Sequence, residues 1–105
     1  MSYQAAANVA FAEGPEVGLY RFHNWRPGTL TVDDAGISFH ERGEDEPTTR
    51  GFSDIERVLI ATHALVPDEV VLVMHDGARW GVSIGDGTPL VDALRAGGVT
   101  VGASS

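Results

Sequence analysis

The chain has 105 residues, of which 43% are hydrophobic and 21% charged, a balance that describes one ordinary globular domain burying roughly 65% of its unfolded surface and excludes a disordered chain. It contains no cysteine, so disulfides and thiolate metal sites are excluded, and no run of about 18 apolar residues marks a spanning helix. Fifteen acidic against seven basic residues give a formal charge of -8, which repels nucleic-acid phosphates and anionic membranes.

In chain order, the stretch from Ala5 to Phe11 is ambiguous. Its alanines suit a helix, while Ala7, Val9 and Phe11 alternate as in a strand. Val17 to Trp25 reads as an aromatic-rich strand, and Arg26, Pro27 and Gly28 as a turn. The alternation of Thr29 to Val32 and of Ile37 to Phe39, joined through Asp33 to Gly36, predicts a tight hairpin. Leu30, Val32, Ile37 and Phe39 then share one buried face. Glu41 to Thr49 has no apolar residue and predicts a solvated loop.

Phe52, Ile55 and Val58 are irregularly spaced, predicting a short turn or bulge that enters a strand ending near Ala61. Val66 to Asp68 is a turn, and Val70 to Met74 is a β-branched strand. Asp76 and Gly77 point to a type I′ hairpin, whose partner strand turns Trp80, Val82 and Ile84 inward. Thr88 suits a helix N-cap with Pro89 at the first helical position. Leu90, Val91, Ala93 and Leu94 form the apolar stripe of about two turns, ended by Gly97 and Gly98. So short a helix persists only by packing on the strands.

Hairpin-rich strands followed by one helix resemble the pleckstrin-homology-like (PH-like) superfold, in its GRAM and bacterial PH-like branch. The resemblance rests on Gly28 to Val32 leading to Gly36 to Phe39, on Gly51 to Val58, and on the final hairpin of Val70 to Ile84 with its helix. It spans about residues 15 to 98. It implies a mainly β, α+β fold: a partly open antiparallel β-barrel of about seven strands, capped by one C-terminal helix. The whole of 1–105 is expected to be a single domain with flexible ends.

Classical lipid-binding members are similar in placing several lysines and arginines around the first hairpin, where this chain offers only Arg21 and Arg26. All seven basic residues are arginine, scattered singly, and a GC-rich coding sequence accounts for that choice. The tryptophan usual in the C-terminal helix of those members is missing between Pro89 and Ala96, which aligns the chain with the GRAM and bacterial branch.

The chemical motifs lead away from catalysis. Gly81 to Gly85 matches Gly-x-Ser-x-Gly, but Ser83 falls inside a hairpin strand and no histidine follows it, so the expectation is no enzyme and no catalytic residue. His23, His40, His63 and His75 have no ligand-like spacing, and the acidic clusters at Asp33–Asp34 and Glu44–Glu46 have no calcium-loop spacing; neither a metal nor a cofactor is expected. Gly85 to Thr88 precedes the helix, but Asp86 places negative charge where a phosphate would sit.

Trp25 and Arg26 are the strongest candidates for a binding surface, with Arg21 beside them, because tryptophan and arginine are enriched at interface hot spots. The functional expectation is a cytoplasmic, non-enzymatic interaction module that binds a protein partner or itself, with no nucleic acid. The alternatives are a lipid headgroup at a membrane surface, which the charge opposes, and a small ligand in the barrel pocket.

Overall fold

The structure, a computed structural model, describes residues 3–12, 24–61 and 68–103. Among the described residues, eight strands lie in one continuous sheet: β1 (Tyr3–Ala12), β2 (Arg26–Asp33), β3 (Gly36–Glu41), β4 (Thr48–Gly51), β5 (Ile55–Ala61), β6 (Asp68–Met74), β7 (Arg79–Ile84) and β8 (Val101–Ala103), with one helix, α1 (Thr88–Ala96), between the last two. Their order is β4-β3-β2-β1-β7-β6-β5-β8. The segment from Ala5 to Phe11, ambiguous in sequence, is therefore a strand, and it holds the sheet together. Tyr3 to Val9 pair with β2, while Asn8 to Ala12 pair with β7. One long strand thus serves two half-sheets, and the sheet curls about it.

The two ends of this order, β4 and β8, do not pair with each other, so the barrel is open. Both end strands are short, which limits the backbone they offer to a foreign strand. An ion pair of 2.9 Å joins Arg50 on β4 to Asp76, in the turn between β6 and β7. Along the other end, β8 runs parallel to the middle of β5.

The inward faces follow the alternation of the sequence. Leu30 and Val32 of β2 stand opposite Phe39 and Ile37 of β3, and all four are buried. Trp80, Val82 and Ile84 of β7 are buried in the same core, with Val70, Leu72 and Met74 of β6. From α1, Leu90, Val91 and Leu94 close the core, as expected. The short turn before β5 is a 3-10 turn at Phe52–Asp54, followed by a register shift between Ile55 and Arg57.

Three local expectations are corrected. Arg26, Pro27 and Gly28 form the start of β2, paired with Val9, Asn8 and Ala7, and not a turn. Pro27 is tolerated because pairing with β3 begins only at Gly28, near the strand's end. Gly28 is required by space: a Cβ there would lie 2.8 Å from the Phe39 ring and 2.3 Å from the His40 carbonyl oxygen. The turn at Asp76–Gly77 is not type I′, since Gly77 alone has positive φ (94°). The Gly77 amide bonds the Met74 carbonyl and the Met74 amide bonds the Ala78 carbonyl, which makes a three-residue loop with glycine in the left-handed position. Finally, α1 begins one residue early: Gly87 is its N-cap, and the Thr88 amide is held by Asp86 Oδ1 at 3.0 Å. An aspartate two residues upstream does the work assigned to the threonine hydroxyl.

Candidate interaction site

Trp25 follows Asn24, whose φ of 62° bends the chain into β2. Trp25 is 39% exposed and Phe11 of β1 38%; these are the large hydrophobic side chains that the described residues leave exposed. Alternation along β1 places Phe11 on the same face as buried Val9, beyond the end of the close-packed core. Its ring meets Trp80 edge-on at 5.2 Å and Phe39 at 6.2 Å. Such contacts hold an aromatic ring in one orientation while its free edge stays available.

Arg26, adjacent to Trp25, pairs with Glu41 at 2.9 Å, and with Phe11 and Phe39 they border a hollow of about 220 Å³. Glu44 and Glu46 complete its edge, so three carboxylates surround the single guanidinium. The rim is aromatic and net acidic. Of the residues that the sequence put forward, Trp25 and Arg26 are exposed and Arg26 borders the hollow; Phe11 and Glu41, which border it too, were not among them, and the alternation of Ala7, Val9 and Phe11 was the signal for the former. Arg21 lies outside the described residues.

Among the described residues, the other sequence candidates do not come together. His40 is exposed and its Nε2 lies 2.6 Å from the Glu44 carbonyl oxygen, while His75 is exposed in the β6–β7 turn. His23 and His63 fall outside the described residues, among which no group of three or more potential ligands could hold a metal ion. Ser83 sits mid-strand in β7, opposite Asn8 and Glu69, where no strained turn lifts it toward a substrate.

A second concavity, of about 560 Å³, runs beside α1. Tyr3, Val32, Phe52, Pro89 and Ala93 give it an apolar floor, and Asp33, Asp34 and Asp92 stand along it. Pro89, Asp92, Ala93 and Ala96 are spaced i, i+3, i+4 and i+7, so they form one face of α1, distinct from the Leu90, Val91 and Leu94 face in the core. Phe52 is held against Gly97, where an added Cβ would lie 2.5 Å from its ring. Burial raises the pKa of the Tyr3 hydroxyl, and the Asp86 carboxylate raises it further, so the group stays neutral as a donor.

No protein-family model and no curated protein sequence matches the chain. Solved structures do. The pleckstrin homology domain of USP37 superimposes with a TM-score of 0.67 at 15% identity, over 91% of this chain and 94% of that one. A chain of the Spt16D Pob3N heterodimer gives a TM-score of 0.64 at 13% identity, over 99% of this chain and 55% of the other. The fold is therefore PH-like: antiparallel strands curled into a half-barrel, with one helix near the C-terminus. Among the described residues, no helix is long and apolar enough to cross a membrane.

Proposed function

We propose that the chain is a non-enzymatic interaction module of the GRAM and bacterial PH-like kind, which binds a protein partner or a second copy of itself through the rim formed by Phe11, Trp25 and Arg26. PH-like folds commonly serve as interaction modules for proteins or lipids. The observation that carries the protein reading is that two large aromatic side chains are exposed, Phe11 on the hollow that Arg26 also borders and Trp25 next to Arg26 in the chain. Aromatic and arginine side chains are the groups that dominate interface energetics. The charge of that rim supports a protein over a lipid headgroup. Arg26 is already paired with Glu41, and Glu44 and Glu46 repel a phosphate. The whole chain, 1–105, acts as one domain in this reading, at work in the cytoplasm.

Sedimentation of the purified chain, with affinity capture from its native lysate, tests the proposal. A self-associated species or a reproducible partner is expected, and Trp25→Ala weakens it by about 2 kcal/mol, roughly 30-fold, the scale of a central aromatic anchor. A monomer that captures nothing, or capture indifferent to both Trp25→Ala and Phe11→Ser, refutes it. Salt-sensitive binding to anionic vesicles that Arg26→Glu abolishes would establish the lipid reading instead.

A further inference from the structure

The groove beside α1 differs from the aromatic rim in chemistry and position. Its floor is apolar, from Tyr3 and Val32 on the sheet to Phe52, Pro89 and Ala93. A helix of nine residues is about 14 Å long, and the groove follows it from Pro89 to Gly97. The helical face that lines it presents mostly small side chains, so the volume of about 560 Å³ is left beside the helix, not filled by it.

The electrostatics select among occupants. Asp33, Asp34 and Asp92 all line this groove, and no basic side chain does among the described residues. Arg95 is paired with Asp92 at 3.4 Å with both side chains well exposed, an arrangement that contributes little. Asp33 and Asp92, both exposed beside an apolar floor, favour a ligand that is apolar on one side and cationic on the other, and the overall charge of -8 draws such a ligand in. A second copy of this chain does not fit that description. It has no lysine, its seven arginines are dispersed, and α1 carries a single one, Arg95.

From this geometry we infer that the groove between α1 and the β2–β3 turn docks a basic amphipathic segment of a different protein, in which an aliphatic or aromatic side chain lies within one helical turn of lysine or arginine. The apolar side chain covers Val32 and Phe52, and the cationic groups face Asp33 and Asp92. This rests on the chain being an interaction module, but it uses a surface other than the Phe11–Trp25 rim. A groove lined by residues at i, i+3, i+4 and i+7 of one helix is matched by a partner with anchors at similar spacing.

The test is a random twelve-residue peptide library displayed on phage and panned on the full chain, followed by anisotropy titrations of the enriched peptides. Enriched sequences are expected to pair an apolar residue with lysine or arginine, and their binding is expected to weaken at least tenfold between low and high salt. Ala96→Arg, which fills the groove and adds a positive charge, is expected to weaken them at least tenfold; Trp25→Ala leaves them unchanged. Should Ala96→Arg fail to fold, Asp92→Asn and amide shift mapping replace it, with perturbations expected at Val32, Phe52 and Ala93. Failure to enrich any peptide, enrichment without basic residues, or shifts centred on Phe11 and Trp25 would each overturn the inference. Groove binding in a chain whose assembly ignores Trp25→Ala would sink the rim reading and leave this one standing.

Discussion

Gly28 shows how one residue can be misread and still be indispensable. After a proline, a glycine suggests a turn, yet here it lies in β2 because Phe39, the His40 carbonyl and the Glu41 Cα all crowd its open face. Two of those three neighbours are backbone and cannot move aside. Gly28→Ala is expected to destabilise the fold by about 1–3 kcal/mol, the usual cost of overpacking, read as a lower urea midpoint with an unchanged slope. Asp76 supplies a second residue-scale prediction. Its carboxyl is held below the usual carboxylate range by the Ala78 amide, then by the Arg50 side chain. A folded pKa below the unfolded one contributes stability that is fully present above the ordinary value near 3.8 and is lost as pH falls through the lowered one. Asp76→Asn keeps an oxygen for the Ala78 amide, so its stability should fall less steeply with acidification in that window. An identical acid profile for the two proteins would show that the Arg50 pair contributes nothing to it.

At the scale of elements, α1 is too short to stand alone and is defined by its two faces. Leu90 and Leu94 are fully buried, whereas Asp92 is exposed on the face that lines the groove. Leu94→Ala is expected to cost about 2–5 kcal/mol through the cavity it opens, and Asp92→Asn less than about 0.5 kcal/mol. Thermal unfolding of the two variants separates the faces; comparable losses would contradict the placement of Asp92. The helix was legible in sequence through its apolar stripe and the terminal Gly97 and Gly98. Its start was not. A threonine next to a proline resembles a cap, but Asp86 and the buried Gly87, which Asp68 Oδ2 holds at 2.8 Å, fix the entry from outside the helix. The strand at Tyr3–Ala12 was half legible. Alanine-rich alternation has no decisive period, and only its partners β2 and β7 supply the backbone bonds that settle it.

For the molecule as a whole, the negative charge constrains function more than the fold does. A PH-like half-barrel is compatible with protein and lipid ligands alike. The charge of -8 and the carboxylates at both concavities oppose an anionic ligand. Openness matters too, since among the described residues β4 and β8 are the two end strands of the sheet. Both are four residues or fewer, which makes side-chain recognition at the rim or groove the stronger basis for contact than strand addition.

The sequence alone determined the strand alternation, the turns rich in glycine and aspartate, the helix stripe, and hence the PH-like expectation. These are local or periodic features, each written within about ten consecutive residues. It also put forward Trp25 and Arg26 as candidates for exposure, at a strand end or loop. Only the tertiary structure decided that Phe11 and Arg26 border one hollow, that Gly28 serves packing, and that Tyr3, Val32, Phe52 and Ala93 share one groove. Those residues come from β1, β2, the 3-10 turn and α1, and no local pattern can encode a meeting of parts so distant in the chain. Curling the sheet about β1 and laying α1 across it creates the groove, because the face of α1 that does not enter the core must line something.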